Sequence, residues 1–420
     1  LSNSWPAGQT IDVAIIGAGA AGVAAARRLQ SLRPDLSILL LEAKDRAGGR
    51  AWTVRLPSFG NEPVDLGCGW LHGARTNGWT DIARQIGLTV EMTPAPWSEG
   101  GRTAEGEQGR AAISAFFARA EQWGDTGEDG SLEELLEPGN PWNGRVEAIG
   151  TFLNGVELAA ASIHDYVHYD PGAGPDWRVR EGYGTLISTY SQPVPTVRST
   201  AVKMVDHRSA DSILLQTERG TLRARTVVVT VATNVIAQDQ IKFDPPLPRK
   251  QEAASRLPLG LANKLFLSVT SPDDLPVDTR LTGSLDELRT GSYQLRPFGT
   301  ALIEAYYGGS LARDLEAAGE QAALAFAREE LTQHFGSAFG HRIDAVAMSA
   351  WHGETHIGGS YSYAEPGASA ERIVLGETVD GRLFFAGEAC SPARFSTAHG
   401  ALETGFAAAE AIAATLKSTT

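Results

Sequence analysis

Residues 11–32 read IDVAIIGAGAAGVAAARRLQSL. The run IDVAII is short, apolar and β-branched, the composition of a strand buried in a parallel sheet. GAGAAG at 17–22 interrupts it, and VAAARRLQSL is strongly helix-forming. SILLLEA at 37–43 is a second buried strand ending on a carboxylate, so the stretch predicts a βαβ unit. Within it Gly17, Gly19 and Gly22 form GxGxxG, which allows a tight turn and brings a pyrophosphate to the free N–H groups of a helix N-terminus. Glu42 lies 20 residues beyond Gly22, where a carboxylate can accept ribose hydroxyls. A glycine-rich turn alone is common, but this turn with its strand, helix and Glu42 predicts a dinucleotide site. It does not separate NAD from FAD.

At 420 residues the chain is longer than one hydrophobic core usually serves, so two domains are expected. The 42% apolar and 20% charged composition is that of a soluble globular protein. No apolar run approaches the length of a membrane span. Cys68 and Cys390 are far apart in sequence, which excludes a disulfide framework and a thiolate zinc site; both read as buried filler. A net charge of −14 argues against a nucleic-acid partner and suits attraction of a cationic substrate. The chain opens on Leu1 rather than Met, so a removed export signal stays open, with a cytoplasmic location as the expectation.

Beyond residue 79 the pattern changes. AAISAFFARAEQW (111–123) and SLEELLEP (131–138) read as helical pieces between breaks such as PGNPWNG (138–144). Strands return at TVRSTAVKMVDHR, SILLQTERG and TLRARTVVVTVAT, between residues 196 and 233. FDPPLP at 243–248 reads as a rigid linker. GLANKLFLSV at 260–269 opens another strand-rich region, followed by a helix at 321–335, a buried strand in RLFFAGE (382–388) and a closing helix over 400–416. Lys264 stands alone in its apolar run, which raises the question of whether it is a solvated strand start or is held inside by a partner.

EAKDRAGGRAWTV at 42–54 and VDLGCGWLHG at 64–73 resemble the flavin amine oxidase family, which includes monoamine oxidases, polyamine oxidases and lysine-specific histone demethylases. The resemblance continues through EGYGTLISTY (181–190), TVVVTVATNVI (226–236), IKFDPPLP (241–248), GGSYSYAEPG (358–367), FFAGEACS (384–391) and STAHGALETG (396–405); it is loose between 85 and 175. It implies an α/β fold: a discontinuous, Rossmann-like FAD-binding domain of the GR2 type (1–78, 178–258, 352–420) with an inserted α+β substrate-binding domain (79–177, 259–351).

The resemblance also implies roles. Gly48, Gly49 and Arg50 run along the FAD pyrophosphate and ribityl chain, and Arg46 matches a further basic position. Gly69 and Trp70 approach the flavin, and Val202 meets the adenine. Ala20, Ala21, Ala43, Gly67, Trp351, Gly387, Glu388, Thr397 and Ala398 complete the cofactor contacts. Lys264 matches the lysine that holds a water beside flavin N5 and serves reoxidation; burial is expected to lower its pKa. The closing helix presents its N-terminus to the flavin. Tyr361 matches one aromatic wall for a substrate amine. Thr397 stands where monoamine oxidases carry the second tyrosine, so the cage is expected to be one-sided unless another aromatic, such as Trp351 or Tyr363, fills in. Ser360 replaces the cysteine that bonds flavin covalently in monoamine oxidases, so FAD is expected to be noncovalent. His72 is either a pocket residue or a satisfied structural histidine.

The implied reaction oxidises an amine to an imine with oxygen reduced to hydrogen peroxide. The partners are a small-molecule amine and molecular oxygen, with no nucleic acid, membrane or metal; a homodimer is compatible. Two rivals remain open. One is an L-amino-acid oxidase or amine dehydrogenase on the same scaffold, the former needing an arginine such as Arg180 or Arg394 for a carboxylate. The other is a flavin-binding interaction protein with little turnover.

Overall fold

A computed structural model describes residues 10–97, 106–124 and 127–416. The strand Thr10–Ile16 lies in the middle of a sheet with parallel neighbours on both sides, Ile38–Leu41 and Gly220–Val229. It is buried on both faces and wholly apolar over Val13–Ile16. Among the described residues eight strands make this sheet. Thr196–Val197 continues it beyond Ile38–Leu41; Ile213–Thr217, Val202–Asp206 and Lys242–Asp244 extend the other side. The long strand Gly220–Val229 changes partner along its length. Its first half pairs antiparallel with Ile213–Thr217, and its second half pairs parallel with Leu383–Phe385.

Two helices cover one face together. Ala20–Leu32 and the closing helix Ala398–Thr415 pack at short range because their contact residues are small. A Cβ on Gly405 would lie 2.4 Å from the Ala21 carbonyl oxygen.

A second sheet is antiparallel throughout, in the order Thr279–Thr282, Ser292–Leu295, Leu302–Gly308, Ala262–Val269, Ile343–Met348. Helix Glu320–Phe335 covers it through Ala323, Leu324, Ala327 and Leu331. Helices Gly106–Gly124, Asn143–Asn154 and Ile163–His168 form a small layer with its own apolar centre at Phe116, Leu132, Leu158 and Ile163. SLEELLEP, expected to be helical, instead forms one 3-10 turn, Leu132–Leu135. Ser131 and Glu134 cap it, and Pro138 follows too soon for another turn. No helix among the described residues is long and apolar enough to cross a membrane.

Candidate active site

The turn after the first strand is as tight as its glycines suggest. A Cβ on Gly22 would lie 2.0 Å from the Gly17 carbonyl oxygen. One on Gly17, at φ +106°, would lie 2.8 Å from Thr230 Oγ1. Gly19 is different: its hypothetical Cβ meets only Gly49 Cα, at 3.9 Å. The Gly19 and Gly48–Gly49 turns thus stand together, joined by the Gly48 N–H donating to Ala18 O at 2.8 Å. Among the described residues no side chain caps the N-terminus of helix Ala20–Leu32. Its free N–H groups open on a cavity of about 660 Å³.

This cavity gathers most of the residues singled out in the sequence. Gly17, Gly19, Ala20, Ala21, Glu42, Ala43 and Val202 line it, with Gly49, Arg50, Gly67, Gly69, Gly387, Glu388, Thr397 and Ala398. Trp70, His72, Lys264, Trp351 and Tyr361 line it as well, Lys264 from the second sheet. Gly22 and Arg46 do not line it. Gly22 serves the turn from behind, and Arg46 stacks 4.5 Å over Trp52 while donating from Nη1 to Gly49 O at 2.9 Å. Its Nη2 is buried and has no hydrogen-bond partner among the described residues.

The charged groups are mostly engaged with their own chain. Glu42 accepts the Ala18 N–H at 2.7 Å and the Lys44 N–H at 2.8 Å, which fixes its carboxylate at the strand end. Glu388 was expected as a direct cofactor contact. It lines the cavity and accepts from Arg50 Nη1 (2.7 Å), Ser362 Oγ (2.6 Å), Ser362 N (3.3 Å) and Ser396 N (2.9 Å), so it also holds Arg50 in place. Burial pushes the Glu388 pKa up, but Arg50, the Ser362 hydroxyl and Arg372 outweigh this and keep it below the usual carboxylate range. Behind it, Arg372 Nη1 donates to Ser362 Oγ at 2.8 Å and Arg372 pairs with buried Asp165.

Lys264 is buried, not a solvated strand start. Its Nζ lies 2.8 Å from Glu304 Oε1. The expected fall in its pKa is overturned. Burial does press it down, but the Glu304 carboxylate, with Asp65 behind it, holds it above the ordinary lysine value. Asp65 in turn caps helix Tyr183–Ser191, accepting from Tyr183 N, Gly184 N and the Thr53 hydroxyl.

Tyr361 donates to Phe152 O at 2.7 Å, and its oxygen lies 2.7 Å from the hydroxyl of Tyr306. Burial raises the pKa of both, keeping them neutral phenols. The second aromatic beside Tyr361 is therefore Tyr306. Trp351 reaches the cavity with its indole N–H committed to Leu66 O, and Tyr363 does not line it. The Thr397 hydroxyl, a candidate substrate contact, is occupied as the N-cap of the closing helix, accepting from Gly400 N and donating to Arg394 O. Ser360 donates to Ala262 O and accepts from Ala262 N, both at 2.8 Å. His72 Nδ1 sits 3.2 Å from Asp176. Arg180 and Arg394 pair with Glu62 and Glu403 and do not line the cavity.

Glu304, Tyr306 and Asp65 escaped the sequence reading. The available signal was a lone carboxylate in the apolar run LIEAYYG, complementary to the lone lysine of ANKLFLSV.

His399 follows the cap and is buried, with Nε2 lacking a partner among the described residues. Burial, then the positive potential of His72 and Arg394, pushes its pKa down to about 4. The unfolded chain, with histidine near its ordinary value of about 6.5, takes up the proton first. Stability is therefore expected to fall as pH drops from about 6.5 towards 4, by about 3 kcal/mol from this group. Urea titrations of the parent and His399→Gln across that window check it; an equal slope in both would refute the assignment.

A helix N-terminus with free donors, a ribose-type carboxylate and an open double-glycine turn followed by Arg50 suit a dinucleotide with a pyrophosphate. One cavity carries that cradle to a buried lysine and paired tyrosines, the organisation of a flavoprotein oxidoreductase. Residues 20–150 and 138–413 match the family model of flavin containing amine oxidoreductases, and the chain belongs to that family. It uses FAD and acts on the carbon–nitrogen bond of an amine. It is 29% identical to polyamine oxidase 2 of Arabidopsis thaliana, over 97% of this chain and 90% of that one. It is 28% identical to lysine-specific histone demethylase 1 homolog 2 of Oryza sativa subsp. japonica, over 96% of this chain but 57% of that one. Putrescine oxidase bound to putrescine shares the fold, with a TM-score of 0.79 at 19% identity, covering 97% of this chain and 99% of that one.

Proposed function

We propose that the substrate is an aliphatic amine, mono- or polyamine, and that molecular oxygen is the electron acceptor, giving hydrogen peroxide. The observation that carries this reading is the single cavity joining the dinucleotide cradle to Lys264, Tyr306 and Tyr361. When bound, FAD supplies the acceptor for the hydride that leaves the carbon next to nitrogen. The chain's own groups prepare the amine. Hydride loss from an ammonium would place a second positive charge beside the first, so the nitrogen must be neutral. A free alkylammonium has a pKa near ~10.4, as lysine does. Aromatic walls desolvate it, which favours the neutral amine. The net charge of −14 draws cations from solution. Gly17, Gly19, Glu42, Gly49 and Arg50 would hold the dinucleotide, and Tyr306 and Tyr361 would orient the nitrogen.

The test is spectroscopic. Adding putrescine, spermidine or a simple alkylamine without oxygen should bleach the yellow flavin, and air should restore it with release of peroxide. Bleaching by amino acids alone would support the amino-acid rival, and no bleaching by any amine would defeat the proposal. Ser360 is hydrogen-bonded to the backbone and offers no thioether, so acid precipitation should leave all the flavin in the supernatant.

A further inference from the structure

Lys264 and Glu304 lie on neighbouring antiparallel strands. Lys264 is registered opposite Tyr306 and Glu304 opposite Phe266, so the two form a diagonal cross-strand pair. Such diagonals suit long side chains, and here they bring Nζ and Oε1 to 2.8 Å. The other groups around the ammonium come from other segments or are neutral. Asp65 lies on the hairpin strand Glu62–Asp65, with its acceptors already serving Thr53, Tyr183 and Gly184. Tyr306 is a neutral phenol, and Cys68 in the following loop is a thiol whose pKa burial pushes up to about 12.

We infer that Glu304 is a positioning residue: its carboxylate fixes the Lys264 side chain in the cavity and keeps it an ammonium throughout the working pH range. The inference deepens the oxidase reading and rests on it. A buried lysine without a partner sheds its proton readily, because burial disfavours the charge. With Glu304 in place, Lys264 cannot act as a base that takes the substrate's proton; it contributes a constant positive charge. Asp65 alone does not replace this, since it is spent on the helix N-terminus.

The experiment uses the FAD-loaded parent, Glu304→Gln, Glu304→Asp and the double variant Lys264→Met with Glu304→Gln. Two readouts are followed against pH: the rate of flavin reoxidation by air, and the flavin absorbance spectrum without substrate. In Glu304→Gln the alkaline loss of reoxidation is expected to move down by about one pH unit or more, as Lys264 loses its counter-charge. The spectrum should show a transition at the same pH, absent from the double variant. Glu304→Asp withdraws the charge by one methylene and should shift both readouts by less; it carries the test if the amide variant does not fold. A Glu304 variant that loads FAD but keeps the parent's alkaline limb and spectrum overturns the inference. Failure of the parent itself to bleach with amines would instead defeat the oxidase reading.

Discussion

Asp165→Ala is expected to destabilise the protein by about 3–5 kcal/mol, the cost of leaving a buried charge without its partner. Both Asp165 oxygens receive Arg372, at 2.7 Å from Nε and 2.8 Å from Nη2, and the two side chains are 5% and 1% exposed. The guanidinium also lies 3.7 Å over the Phe395 ring, so it has no path to solvent. Removing the carboxylate strands it there. Removing both charges, as in Asp165→Leu with Arg372→Met, should cost much less, since no ion is left unpaired. Urea midpoints of the three proteins check this; a single variant no less stable than the double would contradict it. The same change should weaken FAD retention. Asp165 orders Arg372, Arg372 orders Ser362, and Ser362 holds Glu388 against Arg50 in the cofactor cavity.

The second large effect concerns Lys264. In Lys264→Met the flavin colour is expected to return in air roughly 10²–10³-fold more slowly, the usual cost of removing one preorganised electrostatic group. Anaerobic bleaching should change much less, because Tyr306, Tyr361 and the apolar walls that receive the amine remain. Stopped-flow measurement of the two half-reactions separates them. Equal slowing of both would assign Lys264 to substrate handling rather than to oxygen, and no slowing would leave it a role in the fold.

The start of the chain was legible because its signal is contiguous: strand, glycine turn, helix and Glu42 lie within 33 residues and depend on each other locally. The closing helix and the FAGE strand were legible for the same reason. Helix Asn143–Asn154 was hidden by Gly144 and Gly150, which weaken helix propensity. Packing requires both: a Cβ on Gly150 would lie 2.2 Å from Leu158 Cδ2, and one on Gly144 equally close to the Asp286 carbonyl oxygen. The site's charge pairs were hidden by distance along the chain. Arg372 in AERIVLG and Asp165 in SIHDYVH carry no local sign of burial. Only folding removes both from water. Lys264 was found by its isolation, but the direction of its pKa depended on a strand register that composition does not encode. Tyr306 was missed for the same reason, being one of two adjacent tyrosines of which only one faces the cavity.

The long strand Gly220–Val229 has a consequence for how the protein is made. The first strand waits for it on one side, and the half of it that joins Leu383–Phe385 waits in turn for the last part of the chain. Helix Ala20–Leu32 has its alanine face open until Ala398–Thr415 arrives. A ribosome that has delivered only the N-terminal half has therefore exposed an apolar strand and a glycine turn without the walls that enclose them. Cofactor loading is thus expected to be a late step of folding, and a chain stopped before residue 383, lacking strand Leu383–Phe385 and the closing helix, is expected not to retain FAD.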